Sequence, residues 1–435
     1  MKSHPTPANE HHPISRSSLA VAAFSTVVEW YDFTLYLYFA TVLSRVFYGG
    51  GAQSLLVTLG GFAIAYLMRP LGAVVFGHIG DRHGRRFSLL LSVTLMSAAM
   101  LATALLPTRA AVGPAAAILL VLLRCVMGFA VGGEYSGVVA YLLEGARADR
   151  RGLISSLASA ASEVGGLLAV AVSALTVSLT SEATLASWGW RIPFFVGAGL
   201  AASIGIARSL MEESPEFERQ RAAGTIPDRP VAHALTRQWT GVWRSFAISA
   251  LGSITYYVGI TYVPTFITSG GLIAERTALW LSTLAAVAVI LVTPVAGALS
   301  DRYGRRPLLI AIAVASAILP VSMFVAMSGS SAAAALSGAL VLAAIAGAYS
   351  AVGAAATAEQ FRGEGRMSGL ALGATSATAI FGGFTPWLAQ IGIERTGSAA
   401  VPGAMIALVA IVVLPVLWRM PETAPAARTG RATGP

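Results

Sequence analysis

One ten-residue pattern occurs twice in this chain, and each copy lies between two long apolar runs. Gly77-His78-Ile79-Gly80-Asp81-Arg82-His83-Gly84-Arg85-Arg86 and Gly297-Ala298-Leu299-Ser300-Asp301-Arg302-Tyr303-Gly304-Arg305-Arg306 agree at six positions, and their offset is 220 in a chain of 435 residues. A short basic turn joining two apolar runs, repeated at half the chain length, marks a helical membrane unit that has been duplicated. Such a build points to transport.

The rest of the chain fits this reading. A spanning helix needs about 20 apolar residues, and twelve runs qualify, at roughly 19–43, 55–78, 87–107, 112–141, 153–180, 189–211, 245–268, 278–299, 307–328, 332–358, 367–391 and 398–419. Only 11% of the residues are charged, where a soluble chain carries about a quarter. The expected fold is an all-α membrane protein with twelve transmembrane helices in two pseudo-symmetric six-helix bundles. Its parts are a tail at 1–18, a bundle at 19–211, a polar linker at 212–244, a second bundle at 245–420 and a tail at 421–435. Trp188, Trp190, Trp239 and Trp243 fall at helix ends, where amphipathic rings favour the interface.

The net charge of +9 lies in the loops after even-numbered helices, which is topology rather than a nucleic-acid stripe. By the positive-inside rule both termini are cytoplasmic. The lipid bilayer is the expected partner, with no nucleic acid and a monomer as the working unit.

The duplication extends past the basic turn. Glu144 and Arg151 after helix 4 match Glu359 and Arg366 after helix 10, at an offset of 215. Two halves with one motif at equivalent junctions fit a pseudo-two-fold carrier whose substrate site lies between them. The expected cytoplasmic gate comprises Gly77, Asp81, Arg82, Gly84, Arg85, Arg86, Glu144, Arg151, Asp301, Arg302, Gly304, Arg305, Arg306, Glu359 and Arg366. Its ion pairs would clasp neighbouring helices in one state and release them in another.

Six ionisable residues fall inside the helices of the first half: Glu29, Asp32, Arg69, Arg124, Glu134 and Glu163. Each costs about 2.5–3.5 kcal/mol at mid-bilayer on insertion scales and therefore needs a role. Helices 7 to 12 carry aromatic and small polar groups at depth instead, among them Tyr256, Tyr257 and Trp387. Asp32 with Arg124 is the most economical coupling pair. Paired, the carboxylate stays ionised; parted in a low dielectric, it favours the protonated form. Glu29, Glu134 and Glu163 are further proton-route residues. Arg69 and Arg124 suit a carboxylate, because guanidinium offers forked hydrogen bonds, and Tyr31, Tyr256, Tyr257 and Trp387 would shape the pocket. The pairs Gly128-x-x-x-Gly132, Gly133-x-x-x-Gly137 and Gly369-x-x-x-Gly373 read as close-packing sites.

Other chemistries are excluded. There is no Walker-type loop for ATP. No histidine lies deep enough to activate Ser136, so an enzyme is not expected. Neither a metal nor a cofactor is called for, and Cys125, the sole cysteine, cannot form an intrachain disulfide.

The doubled Gly-x-x-x-Asp-Arg-x-Gly-Arg-Arg turn resembles the signature of the major facilitator superfamily. Glu29-Trp30-Tyr31-Asp32-Phe33, Met68-Arg69-Pro70-Leu71-Gly72-Ala73, Gly128-Phe129-Ala130-Val131-Gly132-Gly133-Glu134 and Trp190-Arg191-Ile192-Pro193-Phe194 resemble its metabolite:proton symporter family. The resemblance implies a carrier of the 2-oxoglutarate, citrate, shikimate or proline/betaine kind, working by alternating access in the bacterial inner membrane. It also implies proton coupling through an acid on helix 1 and an arginine on helix 4, matched here by Asp32 and Arg124. Proton-coupled uptake of a small organic acid is the leading expectation. Symport of a zwitterion such as proline or a betaine, and proton-antiport export, are the alternatives.

Overall fold

The computed structural model describes residues 16–83, 85–132, 151–209, 221, 238–270, 273–361 and 369–424. Every regular element among them is helical. Seven spans are single helices: α3 (Arg85–Ala104), α4 (Ala115–Val131), α5 (Arg151–Leu179), α6 (Ile192–Ser209), α8 (Glu275–Tyr303), α9 (Arg305–Met327) and α12 (Val401–Arg419). Another, α10, is Ala332–Ala358. The other four are interrupted. α1 is Arg16–Tyr38, continued by Ala40–Leu43 and a widened turn at Ser44–Tyr48, and α2 is Ala52–Tyr66 with Met68–His83. α7 is Trp239–Tyr256, a widened turn at Tyr257–Thr261, and Val263–Ser269, with a bend of 45° at the break. α11 passes through two widened turns, Ala371–Thr375 and Ala379–Gly383, before Thr385–Thr396.

The twelve runs of the sequence are therefore twelve spans among the described residues, with shifted ends. α7 starts at Trp239 rather than near 245, so Trp239 and Trp243 stand on its exposed first turns. α11 is broken because its sequence is rich in small residues and holds the pair Gly382-Gly383, which grips the helical ladder weakly. Trp190 departs from the interfacial expectation. It is fully buried, edge-on to Phe47 at 4.9 Å, with the Arg191 guanidinium 4.4 Å from its ring. Its helical turn points it inward, whereas Trp188 is 54% exposed.

Large apolar side chains cover the outside, for example Leu291, Ile318, Leu408 and Val412, which suits a lipid surface. Packing within the first half relies on missing side chains. A Cβ on Gly72, Gly128 or Gly132 would overlap a backbone carbonyl of the facing helix, so α2 and α4 touch backbone to backbone. Between the halves, α5 lies along α8 and also touches α10, while α2 meets α11. These seams bring the deep charges of the first half against the aromatic face of the second.

Candidate functional site

Helical periodicity sorts the aromatic–acidic run of α1 onto different neighbours. Asp32 turns to α4, where Arg124 donates three hydrogen bonds to its two carboxylate oxygens at 3.0–3.2 Å. Both side chains are buried, and the guanidinium lies 5.7 Å from the rings of Tyr36 and Phe194. Glu29, three residues earlier, turns to α2 and pairs with Arg69 at 2.8 Å. Arg69 also donates to the Tyr66 hydroxyl at 3.2 Å and sits 4.4 Å from the Phe33 ring. Two buried ion pairs thus stand one helical turn apart, each formed within the first half.

The second half closes over them with rings. The Tyr66 hydroxyl meets that of Tyr257 on α7, which is a direct polar contact across the two halves. Tyr256 is edge-on to Trp30 at 5.0 Å, and Tyr257 is stacked on Trp30 at 6.4 Å. Glu163 on α5 is buried near Tyr38 and near the Tyr256 hydroxyl, which itself has no hydrogen-bond partner. Glu29, Asp32, Arg69, Arg124, Glu163, Tyr256 and Tyr257 are therefore gathered as expected.

Tyr31 and Trp387 are placed elsewhere. The Tyr31 hydroxyl donates to the Pro193 carbonyl at 2.7 Å, tying α1 to α6. It lies one residue from Asp32, and 100° of helical turn carries it to the other side. Trp387 lies against Gly60 and lines a lateral groove of about 680 Å³ with Leu56, Val121 and Ile391. Trp30, Phe33, Tyr36 and Tyr66 complete the site and were not expected. Their signal was spacing: Phe33 and Tyr36 follow the α1 acids by one turn, and Tyr66 precedes Arg69 by three residues.

The second basic turn closes one end of the molecule. Asp301 accepts the backbone N–H groups of Gly152 and Leu153 at 2.9 and 2.8 Å, in the first turn of α5. An anion held there is favoured by unpaired amides and the helix dipole. Arg305 fixes Asp301 at 2.8 Å, reaches Glu359 at 3.4 Å and donates to Ser300 at 2.7 Å. Gly304 allows the turn by adopting φ +105, a region that disfavours a side chain. The segment after α12 adds to this network, although the sequence placed 421–435 in a tail. Glu422 accepts the amides of Arg305 and Arg306 at 2.9 and 3.1 Å, and Thr423 donates to Glu359 at 2.5 Å. Glu422 is drawn there by the unpaired amides that begin α9.

Other members of the gate are less engaged. Arg151 stands beside the amides that Asp301 holds, and the Arg302 guanidinium lies over Tyr303 at 5.4 Å. The Arg306 side chain is half-buried. In the first copy, Arg86 donates to the Ser209 carbonyl on α6. Gly77, Asp81, Arg82 and Arg85 are at the α2–α3 junction, with side chains outside the described residues. Gly84, Glu134, Glu144 and Arg366 lie wholly outside them, as does Gly133-x-x-x-Gly137.

The opposite end is closed as well, by charges and a tryptophan at helix ends. Glu275 at the start of α8 pairs with Arg45 at 2.7 Å and contacts Thr41. Arg276 and Trp280 donate to Ser178 at the end of α5. Both ends are tied across the halves, with buried ion pairs midway between them.

Two helical bundles with a shared seam, a closed centre and a tie at each end define a membrane carrier of the alternating-access class. Comparison with known proteins supports this. Residues 19–225 match the family model described as sugar (and other) transporter, and residues 271–434 match the one for the major facilitator superfamily. The proline/betaine transporter of Escherichia coli (strain K12) is 30% identical over 420 residues, covering 94% of this chain and 84% of that protein. The citrate-proton symporter of Klebsiella pneumoniae is 32% identical over 389 residues, with 88% and 87% covered. The alpha-ketoglutarate permease of Escherichia coli (strain K12) is 33% identical over 389 residues, with 86% and 87% covered. In structure, the proton:xylose symporter XylE bound to 6-bromo-6-deoxy-D-glucose superposes with a TM-score of 0.77 at 19% identity, covering 94% of this chain and 96% of that one. The chain belongs to the major facilitator superfamily.

Proposed function

We propose that this protein is a proton-coupled symporter that takes up a small carboxylate-bearing metabolite. The observation that carries the reading is the buried Arg124–Asp32 pair, with Arg69–Glu29 one turn away at the seam between the halves. A guanidinium that can exchange an internal carboxylate for the cargo's carboxylate frees an acid to take a proton, linking the two loads. Tyr66, Tyr256 and Tyr257 would line the cargo's other face, and Glu134 would extend the proton route. Relatives named as citrate-proton symporter and alpha-ketoglutarate permease support this substrate class.

The working unit is a monomer of two bundles, joined by a linker that ends where α7 begins at Trp239. It resides in the bacterial inner membrane with both termini and both basic turns in the cytoplasm. The Asp301–Arg305–Glu359 network, with Arg366, is the cytoplasmic gate, and Asp81, Arg82, Arg85, Glu144 and Arg151 are its counterpart in the first half.

The test is uptake by proteoliposomes under an imposed pH gradient, with mono-, di- and tricarboxylates, proline and betaine as cargo. Accumulation of a carboxylate that collapses with the gradient is the expected result. Accumulation that ignores the gradient would reject proton coupling. A zwitterionic cargo is the second reading. Both arginines are already matched by acids, and Trp30, Tyr256 and Tyr257 group their rings as a cation-binding surface would. Uptake of betaine or proline with no carboxylate uptake would select it.

A further inference from the structure

Glu163 differs from the other buried acids. Asp32 and Glu29 each hold an arginine of their own half. Glu163 forms no ion pair among the described residues, and its polar neighbour, Tyr256, belongs to the other half. The Tyr256 hydroxyl is buried without a hydrogen-bond partner, and its approach to α5 is built into the backbone. Gly166, three residues along the same face of α5, leaves the space where the Tyr256 hydroxyl sits, 3.1 Å from the position a Cβ would take. On the far side Tyr256 packs edge-on against Trp30 and Tyr257.

The groups facing the carboxyl are few. From α1 there is Tyr38, and from α7 there is Tyr256. The described charges of α6, α8 and α10, namely Arg208, Glu275, Arg276, Asp301, Arg302 and Glu359, stand at helix ends, and Tyr349 on α10 has no charged neighbour. A carboxylate buried without a cation is strongly disfavoured, whereas a neutral carboxyl can share a hydrogen bond with a phenol. Closing the seam over Glu163 therefore selects its protonated form, and removing the proton favours any arrangement that admits water.

We propose that Glu163 is a proton-operated latch between the two halves, held to Tyr256 when protonated and released when ionised. The proton passes from water to a carboxylate oxygen while one end is open, and returns to water when the other opens; no bond other than O–H forms or breaks. The latch deepens the symport reading and rests on it for the direction of proton flow. It gives the cycle a second titrating group besides Asp32, one that senses closure of the halves instead of pairing within one.

The test uses the full chain in lipid nanodiscs, without substrate. Spin labels go on Leu105→Cys and Ser330→Cys, two exposed sites at one end of α3 and just beyond α9, in a Cys125→Ser background. As pH rises, wild type should pass from a short-distance to a long-distance population, with the ratio changing by up to about tenfold per pH unit for one linked proton. Glu163→Gln, which resembles the neutral acid, should stay in the short-distance population across the range. Tyr256→Phe keeps the ring but loses the hydroxyl, so its transition should move to lower pH. A wild-type pH response in Glu163→Gln overturns the latch. If Glu163→Gln does not fold, an unmoved transition in Tyr256→Phe overturns it. Proteoliposome uptake separates the two readings. An intact distance response with no proton-linked uptake in wild type would sink the symport reading alone, and the reverse would sink the latch alone.

Discussion

Asp301 ties the second half to two amides of α5 in the first and is itself fixed by Arg305, so its replacement by asparagine gives a measurable prediction. The carboxylate accepts two amides of α5 and the buried Arg305 guanidinium. Asparagine keeps the shape but loses the charge and one acceptor oxygen. A hydrogen bond to a charged group contributes about 1.5–3 kcal/mol and a neutral one about 0.5–1.5, so the amide left on the remaining oxygen weakens by about 1–1.5 kcal/mol, while the other, facing an NH2 group that cannot accept, loses its bond of about 1.5–3 kcal/mol. The sum of about 2.5–4.5 kcal/mol shifts the equilibrium between closed and open ends roughly seventy- to two-thousand-fold. Ser156 reports the change, since it is fully buried and a Cβ on Gly297 of α8 would collide with it. In a Cys125→Ser, Ser156→Cys background, maleimide labelling should accelerate by that factor in Asp301→Asn. The acceleration should persist at high salt, because a buried contact is weakly screened. Labelling at the parent rate would refute the idea that Asp301 restrains this end.

Three further outcomes are expected. Asp32→Asn strands Arg124 in the interior at a cost of about 3–5 kcal/mol; thermal unfolding in detergent should fall sharply, and Asp32→Asn with Arg124→Gln should recover most of it. Gly132→Val forces a side chain into the α2 backbone, a cost of about 1–3 kcal/mol or more; it should lower the melting temperature, while Gly199→Ala, where nothing lies within 4 Å, should not. Glu422→Ala uncovers the first amides of α9 at a cost of about 1–2 kcal/mol and should speed labelling at Ser156→Cys, though less than Asp301→Asn does.

The scaffold was readable because a bilayer allows so few solutions. Twelve apolar runs and a doubled turn leave a two-bundle helical carrier as the economical outcome. Asp32–Arg124 was readable for a related reason, since each buried charge needs an opposite one, and few were on offer. The pairing of Arg69 with Glu29 was not, because it depends on how α1 is rotated against α2, and composition does not encode that rotation. Tyr31 illustrates the same gap: one residue from Asp32, it serves α6 instead of the site. The role of Glu275 was also hidden. Its partners Arg45 and Thr41 come from α1, more than half the chain away, and a loop charge gives no hint of its distant partner.

The backbone contact between α2 and α4 sets which part of the machine can deform. Helices that touch without side chains between them have no slack to shear, so α2 and α4 tilt as one slab, with Arg69 and Arg124 fixed to it. Both ion pairs lie inside that slab or between it and α1, whereas α7 and α11 bend at widened turns. The stiffness of the α2–α4 slab therefore leaves the bent helices α7 and α11, which face it across the seam, as the deformable side of the site. A cargo's ionic grip would stay constant through the stroke, and its exposure to either side would be decided by which rings have swung away.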